Sequence, residues 1–167
     1  KTENLLSCIY SFNSINFMSN GSGGEAVLKS EKGFTLWQPA TDSHPNDEAA
    51  FNASVYEKAT HVNCSWFRGG WFDSQSIAWK DVENGNYYNK QPIEQGTPSP
   101  GASIYVPFEL KPNQNKTIKL LLSWYVPKTN LTYGHDESKT NQFHKPWYSS
   151  KFNNINSVTK YWESNYD

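Results

Sequence analysis

Two runs in the second half of the chain repeat with a period of two, and they narrow what the chain can fold into. Ile104, Val106, Phe108 and Leu110 share one face of an extended segment, and Ile118, Leu120, Leu122, Trp124 and Val126 share one face of the next. Only a strand keeps every second residue on one side, because successive Cβ atoms point to opposite faces of a pleated backbone. The polar turn KPNQNK lies between the two runs, so together they predict an antiparallel hairpin. Pro107 has no N–H to give to a ladder, which places the first of the two strands at an edge or at a bulge.

Weaker alternations precede them. Leu6, Cys8, Tyr10 and Phe12 form one, Phe51, Ala53 and Val55 another, and Val62, Cys64 and Trp66 a third. AVLKSEKGFTLWQ reads as a hairpin whose Glu-Lys-Gly turn lets Gly33 take a positive φ. Helical spacing occurs in two places. Ile77, Ala78, Asp81 and Val82 predict a short helix near 74–84, opened by Asp73 or Ser74 as cap and stopped by Asn84-Gly85. Phe152, Ile155, Val158, Trp162 and Tyr166 recur at three- and four-residue steps, an amphipathic helix still in pattern at the last residue. The fold class is therefore mainly β: an antiparallel β-sandwich, complete or partial, over residues 1–148, with a C-terminal helix over 149–167.

The segment WFRGGWFDSQSIAW, Trp66 to Trp79, is the densest in aromatic residues. Rings at that density serve to fill a core, to dock another domain or to stack on sugar rings, and the glycine pair lets the backbone turn beneath them. Arg68 can pair with Asp73, satisfy turn carbonyls, or bind a sugar hydroxyl or a carboxylate on a neighbouring domain. Trp66, Arg68, Trp71, Phe72 and Asp73, with Trp162 of the last helix, are accordingly the candidates for domain docking or sugar contact.

With 15 Lys and Arg against 16 Asp and Glu, a net charge of −1 and no basic cluster, the sequence argues against a nucleic-acid or anionic-membrane surface. No apolar run approaches the ~20 residues that span a bilayer, and no signal segment is readable, so the compartment, secreted or periplasmic included, stays open. Cys8 and Cys64 sit inside apolar alternations and read as buried free thiols before they read as a disulfide. The His135-Asp136-Glu137 cluster has no spacing partner for a metal, and neither a metal nor a cofactor is expected. Glycoside hydrolysis needs two carboxyl groups roughly 5 to 9.5 Å apart. Asp73 is the only acid beside the aromatic segment, and a helix-capping role accounts for it, so no catalytic residue is assigned.

Several segments, in order, resemble the amino-terminal domain of glycoside hydrolase family 116, which includes bacterial β-glucosidases and non-lysosomal glucosylceramidases. They are YSFNSINFM from Tyr10, GFTLWQ from Gly33, WFRGGWFDSQSIAWKDVENG from Trp66, IYVPFELKPNQNKTIKLLLSWYVP from Ile104, and the Trp147-Tyr148-Ser149-Ser150 stretch. The resemblance implies a two-sheet sandwich packed on an (α/α)6 barrel of the same polypeptide. The nucleophilic Glu and the acid/base Asp belong to that barrel, and no position here matches their motifs. It implies a non-catalytic domain of a retaining β-glycosidase that docks on and shapes the catalytic domain. The alternative is a free-standing carbohydrate-binding module. Coplanar exposed aromatics would favour the module, whereas an irregular apolar patch would favour docking. The helix without a stop signal and the missing family opening lead to the expectation of a fragment. Its uncovered helix would then either self-associate with the aromatic segment or fold back on its own sheet.

Overall fold

The computed structural model describes residues 3–12, 26–58, 60–67, 74–96, 99, 101–131 and 143–166. Among these residues seven strands run in the order β1 (Glu3–Phe12), β2 (Ala26–Lys29), β3 (Gly33–Gln38), β4 (Ala49–Val55), β5 (His61–Asn63), β6 (Gly101–Leu110) and β7 (Leu120–Tyr125). Helix α1 (Ser74–Glu83) lies between β5 and β6, and α2 (Trp147–Lys151) and α3 (Ile155–Asn165) follow β7. The strands form two antiparallel sheets, β1-β6-β5 and β2-β3-β4-β7, as the sandwich expectation requires.

The core lies between the sheets. Phe34, Leu36, Ala53 and Val55 from the four-stranded sheet meet Val62, Cys64, Ala102, Ile104 and Val106 from the other side, all buried. Cys64 is a free thiol within this layer. The β2–β3 hairpin forms with Lys29 opposite Phe34, closed by the Ser30 N–H donating to the Gly33 carbonyl at 2.9 Å. Gly33 does not take the positive φ expected of it. It opens β3, where a Cβ would overlap the Ala53 carbonyl oxygen and lie 2.9 Å from Ser54 Cα. The missing side chain thus serves the close approach of β3 to β4.

The hairpin expected from Ile104 to Val126 does not form. β6 is the central strand of the three-stranded sheet, and β7 pairs with β4 in the other. Residues 111–119 carry the chain from one sheet to the other. They open with a turn in which Lys111 and Gln114 bond each other and Asn113 takes φ 63°. Period-two alternation fixes which face of a strand is apolar, but it is the same for strands side by side and for strands facing each other across a core. Pro107 is accommodated without an edge position. β5 pairs only as far as Tyr105, so at Pro107 β6 has a ladder neighbour on the β1 side alone.

α1 ends as its sequence predicts. The Gly85 N–H donates to the Val82 carbonyl at 2.9 Å and the Asn86 N–H to the Asp81 carbonyl at 2.7 Å, with Gly85 at φ 70°. These are the two bonds of a Schellman cap. α3 starts with a capping box, the Asn154 side chain accepting from the Ser157 N–H and the Ser157 hydroxyl accepting from the Asn154 N–H. The helix folds back on its own sheet, over the outer face of β4 and β7, where Ile155 and Val158 pack with Ala50 and Tyr125. The Tyr56 hydroxyl donates to the Glu163 carboxylate at 2.6 Å and ties down the far end of the helix. Burial, and then that carboxylate, raise the Tyr56 phenol well above its ordinary range.

Candidate functional site

The surface feature most suited to interaction is the inward side of β7. Cross-strand register puts Leu120 opposite Val55, Leu122 opposite Ala53 and Trp124 opposite Phe51, so all three belong to the core-facing side of their sheet. Yet Leu120 is 42% exposed, Leu122 38% and Trp124 59%. β7 is an edge strand, and Ser123 and Tyr125 on its other side are the residues that are buried. The sequence expectation that Leu120, Leu122 and Trp124 lie in the core is thus corrected. They face the right way, but the part of the sheet they occupy is left open. An apolar strip of this kind on a globular surface marks a place of contact. Phe51 and Trp124 stand 5.0 Å apart between ring centroids and are tilted 49° to each other, so the strip is ridged and offers no flat aromatic platform.

The sequence-derived candidates are placed differently. Trp66 is buried, with its indole N–H donating to the Ser103 hydroxyl at 2.8 Å and its backbone N–H to the Ser99 hydroxyl at 2.9 Å. Ser103 alternates with the core-facing Ala102 and Ile104, so the Trp66 indole N–H reaches the outer face of the β1-β6-β5 sheet. Arg68, Trp71, Phe72 and Asp73 lie outside the described residues, as do His135, Asp136 and Glu137. Trp162 is 45% exposed on α3, against the other sheet. Trp66 and Trp162 are therefore on opposite sides of the sandwich and do not form one patch. Alternation alone could not reveal the β7 strip, because strand order, and hence which strand is left at an edge, is absent from the local pattern.

The serine- and tyrosine-rich stretch after β7 has a structural job. The Tyr148 hydroxyl accepts from the Val126 N–H at 3.0 Å and donates to the Val126 carbonyl at 2.9 Å, and Ser149 donates to the Pro127 and Pro146 carbonyls. Backbone groups released at the end of β7 are satisfied there, as burial demands. Among the described residues no group of three or more His, Cys, Asp and Glu is gathered as a cation would require. No helix among them is long and apolar enough to cross a membrane.

Compared with known protein families, the chain matches the one described as beta-glucosidase 2, glycosyl-hydrolase family 116 N-term, over residues 12–167. Neither the curated proteins nor the solved structures give a match. The match takes in nearly all of the chain, from the end of β1 through both sheets to α3, and the two-sheet architecture agrees with it. The chain belongs to the amino-terminal domain family of glycosyl hydrolase family 116.

Proposed function

We propose that this chain is the non-catalytic amino-terminal domain of a retaining β-glycosidase, acting on β-glucosides or glucosylceramides, and that it docks on an (α/α)6 catalytic domain of the same polypeptide through the β7 strip. The observation that carries the proposal is the exposure of Leu120, Leu122 and Trp124 on the core-facing side of an edge strand. Taking such a side chain from full exposure to full burial is worth about 1.5–3 kcal/mol, of which each of the three has roughly half still to gain, and Trp is a favoured anchor at interfaces. A free-standing carbohydrate-binding module is less well supported, because the ridged Phe51–Trp124 pair lacks the coplanar platform that a sugar chain would lie along. Titration calorimetry of the chain with the separately produced catalytic domain tests the proposal. Saturable one-to-one binding is expected for the wild-type chain, and loss of that binding for Leu122→Glu and for Trp124→Glu. Equal binding by both variants would place the interface elsewhere.

A further inference from the structure

A second feature lies on the other side of the same sheet. α3 covers the outer face over β4 and β7 but leaves β2 and β3 open, so Leu28 is 55% and Trp37 39% exposed while Ala50 and Tyr125 beneath the helix are buried. The step between the open and covered halves forms a half-open cavity of about 270 Å³, floored by Ala50 and Tyr125, with Leu28, Thr35, Trp37 and Glu48 and the start of α3 at Asn154 and Asn156 among its lining. Sites for drug-sized ligands run from about 300 to 1,000 Å³. This cavity therefore suits a single ring and is too small for a strand or a helix.

We infer that the cavity is a subsite for one neutral pyranose ring, with Trp37 as the stacking platform. The C–H face of a pyranose needs a flat apolar partner, which the Trp37 indole supplies, and its hydroxyls need donors and acceptors around the rim. Glu48 is an acceptor. The Thr35 hydroxyl accepts from Asn52 Nδ2 at 2.9 Å, which leaves its own proton to give. Asn154 has its carboxamide oxygen engaged by the Ser157 N–H and keeps its amide hydrogens, and Asn156 contributes a whole carboxamide. Among the described residues no Lys or Arg lines the cavity, and the Glu48 carboxylate repels anions, so phosphates and sugar acids are disfavoured. Membership of a glycosidase family adds that neutral sugars are the ligands at hand. The site is on the opposite face of the sheet from the β7 strip, so the two proposals stand or fall separately.

The test is a titration of the whole chain with methyl β-D-glucopyranoside, followed by amide and indole NMR shifts. A ligand of this size is expected to bind with a Kd on the order of 1 mM. The shifting signals are expected to be the Trp37 indole N–H and the amides of Asn154 and Asn156. Trp37→Ala should weaken binding by about tenfold or more, Trp37→Phe by about threefold or less, and Trp124→Ala should leave it unchanged. Trp37 is partly exposed, so a well-dispersed spectrum is expected for both of its variants, and Asn156→Ala provides an independent probe. The inference is overturned by the absence of saturable shifts, by shifts that persist unchanged in Trp37→Ala, or by N-acetyl-lysine amide binding in place of the glucoside, which would make the cavity a receptor for a partner's basic side chain.

Discussion

The Trp66 indole N–H and the Ser103 hydroxyl meet at 2.8 Å on the outer face of the central strand β6, with both residues buried. The start of the aromatic segment is thereby fastened to the middle of the three-stranded sheet. Ser103→Ala leaves the indole N–H without this partner in a place water does not reach, at an expected cost of about 1–3 kcal/mol. Trp66→Phe should cost more, because it also removes volume from a packed site. In urea unfolding the double variant should be less destabilised than the sum of the two by about 1 kcal/mol. Strict additivity would mean that the bond contributes nothing.

Gly33 is expected to resist substitution for a reason unrelated to turns. Gly33→Ala puts a methyl group into the Ala53 backbone on the neighbouring strand, and β3 must move away from β4 to admit it. The expected loss is about 1–3 kcal/mol, the usual cost of forcing atoms into a packed site. Gly96, at φ 86° with open space around it, offers the contrast: strain there comes from the backbone conformation and not from a collision. A thermal melt of Gly33→Ala that matched wild type would show that the two strands are less closely apposed than described.

Cys64 gives the chain an alkaline sensitivity. Burial pushes its thiol up to about 11 from an ordinary value of 9.0, while the positive charge of Lys29 pulls the other way. Between those values the unfolded chain gives up a proton that the folded chain keeps, so stability falls as pH rises. The contribution is complete below about pH 9 and lost by about pH 11. Cys64→Ala should flatten that part of the profile of stability against pH. At pH 8, an alkylating reagent should modify the Cys64 peptide only when the protein is unfolded.

The two halves of the apolar alternation should differ in energetic weight. Ile104 is fully buried in the core, and Ile104→Ala is expected to cost about 2–5 kcal/mol. Leu120 is substantially exposed, so Leu120→Ala should cost below about 1 kcal/mol in the isolated chain. Hydrogen exchange should correspondingly be slower in β6 than in β7. A reversed order would return β7 to the core.

What the sequence made legible was local. The Asn84-Gly85 stop, the extent of α1 and the β2–β3 hairpin each depend on residues a few positions apart, and the structure agrees with all three. Ile104 and Val106 were readable as core because strand periodicity alone determines the side on which they lie. The pairing of β6 and β7 was not readable, since nothing within either run distinguishes a neighbour in the same sheet from one across the core. The exposure of Trp124 depends on β7 being last in its sheet, and that of Trp37 on where α3 stops covering β3. Both are properties of the assembled layers. The last helix shows the same division: Ile155 and Val158 pack as their spacing implies, whereas Trp162 and Tyr166 extend beyond the part of the helix that the sheet supports.

The proposed docking through β7 is tested most directly by hydrogen exchange on the chain with and without a separately produced (α/α)6 catalytic domain of the family. The account predicts added protection in peptides spanning Leu120 to Tyr125, with the Phe51 segment of β4 following, and no change around Trp66 or along α3. Protection confined to α3 or to the segment after Trp66, with β7 exchanging as before, would contradict it.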